Sequence, residues 1–235
     1  MDKKLHELVE RLKEAHKDRL VSVILYGSAA SGNHHDQYSD LNVLCVLTAV
    51  TPADLARSEP VFKWWSDHGN PSPLLLSEAE VQTSTDCFPI EFHDMQERRS
   101  VLYGKDVIEG LAIDRSFYRA QVEHELRAKL LRLRQKAGAV LSDRKALLRL
   151  MLDSVSTFCI LARHAMLLSG ASVGWTKREI AGQLTGLGAD PSPFQALLDV
   201  RERKKKESEV DAAVLFEQYL KQVEAMVAYV DHLDK

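Results

Sequence analysis

The sequence is short of cysteine, of long apolar runs and of surplus charge, and each shortage excludes a class of protein. Its 235 residues hold only three cysteines, Cys45, Cys87 and Cys159, set far apart. No CxxC pair occurs, so neither a zinc knuckle nor a disulfide framework is indicated. Their apolar surroundings read instead as buried free thiols in a reducing compartment. No window approaches the roughly 18 uninterrupted apolar residues needed to span a membrane. The opening stretch MDKKLHELVERLKEAHKDRL lacks the apolar centre of a signal peptide and reads as an amphipathic helix. The expectation is a cytoplasmic protein with no membrane partner. A net charge of −3 gives no reason for indiscriminate nucleic-acid binding. No internal repeat is visible.

What is present is an ordinary globular composition, 45% apolar and 28% charged, long enough for one large domain or two small ones. The charge is unevenly divided. Residues 1–110 carry 11 Lys and Arg against 18 Asp and Glu, a net of −7; residues 111–235 carry 20 against 16, a net of +4. The first helix sets Leu5, Leu8, Val9, Leu12 and Ala15 at helical spacing. LVSVILYG then reads as a buried strand ended by Gly27, and Ser31 to Ser39 as a loop. DLNVLCVL reads as a second strand, with Leu41, Val43, Cys45 and Leu47 on one face and Asn42, Leu44 and Val46 on the other.

TPADLARSEPVFKWWSDHG opens with a threonine cap and a first-turn proline, and so reads as a helix that Pro60 kinks or divides. SPLLLS reads as a third strand. DCFPIEFHDM reads as a fourth, with Phe88, Ile90 and Phe92 alternating against Glu91 and His93, and Pro89 at an edge or strand start. From about Arg115 the pattern turns helical, over 115–137, 143–169, 176–186 and 210–233, with Gly- and Pro-containing breaks between. The expected fold class is α+β: a small mixed β-sheet domain flanked by helices over 1–112, then an all-α helical bundle over 113–235.

One constellation carries chemistry. Asp40 and Asn42, two apart on a strand, leave the same face. Gly27 lets the backbone approach a bulky anion, and the Ser28 hydroxyl with nearby amide N–H groups can hold phosphate oxygens. Phosphate donors beside carboxylates for Mg²⁺ suit the in-line displacement of pyrophosphate from a nucleotide. Glu91 or Asp94 completes the cluster as a metal ligand or as the base for an attacking hydroxyl.

The stretch YGSAASGNHHDQYSDLNVLCV resembles the DNA polymerase β-like nucleotidyltransferase superfamily. Its signature is Gly-Ser, about ten residues, then Asp-apolar-Asp/Glu on a strand; here eleven residues separate Ser28 from Asp40. FPIEFHDM is placed to supply that family's third acid, and VLYG resembles the ending of small bacterial members. The helical half is similar in layout to nucleotidyltransferases of the kanamycin type. The resemblance implies a nucleoside triphosphate substrate, Mg²⁺ or Mn²⁺ held by Asp40, Asn42 and Glu91, phosphates held by Gly27 and Ser28, and Asp40 and Glu91 as catalytic residues. It implies AMP transfer from ATP to a hydroxyl acceptor, leaves a homodimer open, and disfavours nucleic acid as partner.

The departure from that pattern is Asn42, where the family has a second carboxylate. An amide oxygen can ligate Mg²⁺ but brings no full charge, and one unit-charge pair at 4 Å is worth roughly 4 kcal/mol at an effective dielectric near 20. Asp36 in the loop is close enough in sequence to compensate. The alternative reading is therefore a catalytically inactive nucleotidyltransferase-like protein that binds a nucleotide or a partner. Plainer roles stand beside these. Ser28 can cap a short helix, Asp94 can cap the MQERRSVL turn, and His34 and His35 read as loop residues. His124 reads as part of a solvated helix face, His164 as a satisfied buried histidine, and 201–209 as a helix end and exposed connection.

Overall fold

The computed structural model describes residues 3–31 and 41–233, and the chain divides into two compact units, Met1–Arg115 and Ser116–Lys235. The first unit opens with α1 (Lys3–His16), whose Leu5, Leu8, Val9 and Leu12 are buried as their spacing requires. Strand β1 (Leu20–Tyr26) follows, then β2 (Asn42–Leu47), α2 (Pro52–Asp67), β3 (Leu74–Ser77), α3 (Glu78–Thr83), α4 (Pro89–Glu97) and β4 (Arg99–Gly104). The four strands form one mixed sheet in the order β3-β2-β1-β4; β1 is antiparallel to both neighbours and β3 runs parallel to β2.

The sheet is covered on both faces. Val23 and Leu25 of β1 and Val43, Cys45 and Leu47 of β2 pack with α1 and with Val61 and Trp65 of α2. Ile24, Leu44 and Val46 pack on the opposite face with Phe92 and Met95 of α4, Val81 of α3, and Ile108. Asn42 shares the α4 face by its register with Leu44 and Val46. Burial pushes the Cys45 thiol up to about 12, as it does Cys159, so both are inert. Cys87 differs from the sequence reading: it is exposed.

The α2 start is a capping box. Thr51 accepts from the Asp54 backbone N–H at 3.3 Å, and Asp54 accepts from the Thr51 N–H at 2.9 Å. The Thr51 hydroxyl, ahead of the Arg19 guanidinium, holds the Asp54 carboxyl below its ordinary range. Pro60 divides nothing, since α2 runs unbroken through it. One turn on, the Ser58 hydroxyl donates to the Asp54 carbonyl at 2.9 Å, so it accepts from His16 Nε2 at 3.0 Å. His16 is then the neutral Nε2–H tautomer, buried, with Nδ1 lacking a partner among the described residues.

That arrangement has a pH consequence. Burial lowers the His16 pKa below its ordinary 6.5, against the nearby Asp54 and with the help of Arg57 and Arg19. The unfolded chain then binds the proton more readily, so this contribution is whole above about 6.5 and is lost as pH falls through the folded pKa. Urea midpoints between pH 7.5 and 5 are expected to fall less steeply for His16→Gln than for the wild type. Equal slopes would assign the acid sensitivity elsewhere.

The segment DCFPIEFHDM is not a strand, which corrects the sequence reading. Pro89 fits the first helical position, where its missing N–H costs nothing and its fixed φ favours the turn. The residues buried from it are Pro89, Ile90, Phe92, His93 and Met95; the adjacent pairs Pro89/Ile90 and Phe92/His93, three apart, make a helical stripe that strict alternation cannot. The fourth strand is instead Arg99–Gly104, paired along β1 from Tyr26↔Arg99 to Ser22↔Gly104.

The second unit is all helical: α5 (Tyr118–Gly138), α6 (Arg144–Leu168), α7 (Lys177–Gly182), α8 (Ser192–Arg201) and α9 (Ala212–His232). Helix α6 is central and packs against the other four. Tyr219 is fully buried between Phe158 and Phe194, ring centroids 6.0 and 4.9 Å away, and its hydroxyl meets Ser154 Oγ at 3.0 Å. Arg178 ties α7 to α8 through Asp199 at 2.6 Å and Glu202 at 2.9 Å. Helix α8 was not foreseen, because GLGADPSP reads only as a break; Pro191 and Pro193 in fact open it. No described helix is long and apolar enough to cross a membrane.

Candidate functional site

The candidate site lies where β1 ends. Tyr26 pairs with Asn42 on one side and with Arg99 on the other. The chain then turns at Gly27, whose φ of +78° lies in the left-handed region that favours glycine. Its N–H donates to the Arg98 carbonyl at 3.0 Å, and its carbonyl accepts from Ala30 N–H at 3.1 Å, which closes a short 3₁₀ turn over Ser28–Ser31. A Cβ on Gly27 would sit 3.5 Å from Asn42 Nδ2, so the Asn42 amide lies directly against the turn.

Helix α4 brings its acids to the same region. Glu91 and Asp94, three apart, share one helix face. Both act on the Tyr26 phenol, which burial first, then Glu91 and Asp94, push up to about 12. Burial disfavours charge of either sign, but the two carboxylates specifically disfavour further negative charge at this place, and a cation would offset their part. The Asn42 amide oxygen and the two carboxylates are hard oxygen donors, the set that Mg²⁺ or Mn²⁺ takes, so these residues fit the divalent ion that the resemblance implies.

Of the residues singled out in the sequence, Gly27, Ser28, Asn42 and Glu91 belong to the sheet unit. Gly27 and Asn42 are adjacent, and Glu91 reaches the Tyr26 end of β1 from a helix. Asp40, Asp36, His34 and His35 lie outside the described residues. Asp94 takes on more weight than its capping role gave it. Arg99 and Asp106 were missed. The Arg99 Nε donates to both Asp106 carboxylate oxygens, at 3.0 and 2.8 Å, and its Nη1 to the Gln96 carbonyl at 3.0 Å. This fork fixes the α4–β4 corner whose Arg98 carbonyl receives Gly27. The signal was Asp106 itself, which accepts from the N–H groups of Ile108 and Glu109 as an Asx turn.

Two other histidines can be placed. His124 is exposed, on a solvated face of α5. His164 is fully buried and its Nδ1 lies 2.5 Å from the Tyr118 hydroxyl.

No family model matches the chain, and no curated protein matches it. A solved structure does. Spectinomycin adenyltransferase AAD(9) from Enterococcus faecialis, crystallised with ATP and spectinomycin, superposes with a TM-score of 0.55 at 13% identity. The match covers 93% of this chain and 99% of that one. The chain shares the fold of that adenyltransferase. In that fold the Gly27 turn, Asn42 and the α4 carboxylates occupy one end of the mixed sheet, while the second unit supplies the helical C-terminal region. At 13% identity the likeness concerns the fold and leaves the chemistry to the residues.

Proposed function

We propose that the protein is a metal-dependent nucleotidyltransferase that moves AMP from ATP to a hydroxyl of a small acceptor. The observation that carries this reading is the juxtaposition at the end of β1. A left-handed Gly-Ser turn stands against Asn42, with Glu91 and Asp94 bearing on the same place. The similarity to an adenyltransferase solved with ATP supports the choice of nucleotide. Gly27, having no side chain, lets the triphosphate approach the backbone, and the Ser28 hydroxyl and turn N–H groups donate to its oxygens. Glu91 takes the proton of the attacking acceptor hydroxyl. Asp40, Asn42 and Glu91 would hold Mg²⁺ or Mn²⁺, which when bound neutralises phosphate charge and the departing pyrophosphate.

Asn42 keeps a second reading in view, an inactive relative that retains nucleotide or partner binding. The two readings separate in one experiment. The full chain is incubated with each labelled NTP, Mg²⁺ or Mn²⁺, and hydroxylated acceptors beginning with spectinomycin, the compound bound in the similar structure. Metal-dependent pyrophosphate release with ATP is expected from the wild type. Asp40→Ala abolishes it, and Asn42→Asp preserves or raises it by restoring the missing charge. No release from any NTP with any acceptor would leave only the binding reading.

A further inference from the structure

We propose that the helical unit carries a second ligand site, for a compact apolar molecule bearing a phosphate or carboxylate, between α5 and α6. A cavity of about 170 Å³ opens there, well below the roughly 300–1,000 Å³ of drug-sized pockets, so its occupant is small. Its floor is apolar, made by Leu133, Leu150 and Phe158. Its rim is cationic. Lys129, Arg132 and Lys136 follow one another at three and four residues on α5, and so stand in a row along one face.

The charges of that row are largely uncommitted. Lys129 pairs with Glu125 at 3.4 Å. Among the described residues, neither Arg132 nor Lys136 pairs with a carboxylate. The one acid on the rim, Asp153, is exposed and leans toward Arg149 at 3.9 Å. Two hydroxyls face the cations from α6. Ser154 is engaged, donating to the Met151 carbonyl and meeting the Tyr219 hydroxyl, each at 3.0 Å. Thr157 has no hydrogen-bond partner among the described residues.

Cations, a vacant hydroxyl and an apolar floor around one small volume select an amphiphilic anion. The guanidinium fork and ammonium meet the oxygens, and the floor covers the apolar body. Nucleic acid does not fit, since a stripe of three cations over a closed apolar floor offers no track for a backbone. The site is separate from the Tyr118–His164 contact: along α5, Arg132 lies roughly four turns, about 21 Å, from Tyr118. It does not depend on the activity proposed above.

Ligand-observed NMR titration of the full chain tests it, with phenyl phosphate and benzoate as the two anionic arms and benzyl alcohol as the neutral one. Saturable binding of at least one anion is expected, at least tenfold tighter than that of benzyl alcohol. The exposed double variant Arg132→Ser/Lys136→Ser is expected to weaken it tenfold or more with an unchanged thermal midpoint. Thr157→Val should weaken it about threefold, by removing one hydroxyl. Excess ATP should leave the titration unmoved. Equal binding of benzyl alcohol, full affinity in the double variant, or displacement by ATP would each overturn the site.

Discussion

Replacing Glu91 with glutamine is expected to lower kcat for pyrophosphate release by about 10²–10⁴-fold, the usual contribution of a positioned base. The substitution keeps an oxygen donor of the same reach but removes the charge and the basicity together. Asp94→Asn is the matched control on the same helix face, one turn on. It should cost far less in kcat, since Asp94 contributes field and not proton transfer in this assignment. KM for ATP should move only a few-fold in both, because the proposed function gives the phosphates to the Gly27-Ser28 turn. A dead Asp94→Asn beside an active Glu91→Gln would exchange the two roles. Loss of activity with a lowered melting temperature would point to folding.

The second large effect concerns the sheet that positions these groups. Gly104→Ala is expected to destabilise the protein by about 3 kcal/mol or more, combining left-handed strain with a backbone collision. Gly104 has φ +75°, and a Cβ there would be driven into the Val21 carbonyl oxygen, with the carbonyl carbon at 2.9 Å and Ser22 Cα at 3.2 Å. Backbone cannot rotate away as a side chain can. Gly110 supplies the comparison: its φ is +70°, but a Cβ there would meet nothing within 4 Å. Gly110→Ala should therefore cost only the strain, about 1–2 kcal/mol. Denaturant midpoints of the two variants separate the terms, and equal losses would refute the steric argument.

Where the hydrophobic period was unambiguous, the sequence sufficed. Leu5, Leu8, Val9 and Leu12 specify α1, and the alternation through Val43, Cys45 and Leu47 places Asn42 on the opposite face, where it lies. The Thr51 cap and first-turn proline specify the start of α2. Residues 88–95 failed for a physical reason. A nine-residue helix whose cap Phe88 is followed by apolar residues at 90 and 92 mimics a strand over so short a span, and only Pro89 at the first position tells them apart. The error changed the site. At period two, Glu91 and His93 share a face; on a helix Glu91 shares it with Asp94, and the second carboxylate gains a role. Strand β4 was not legible because its burial is slight and it earns its place by pairing with β1.

The central position of β1 also governs when the site can come into being. The Gly27 corner is held by Asn42 from the neighbouring strand and by the Arg98 carbonyl, more than seventy residues further along the chain. Such a contact forms only after a long loop has closed, at an entropic cost that local helices never meet. A nascent chain that has folded α1, β1 and β2 still lacks the Gly27 corner. If that corner holds phosphate as proposed, competence to do so arrives with β4, and nucleotide binding would report that the sheet is complete.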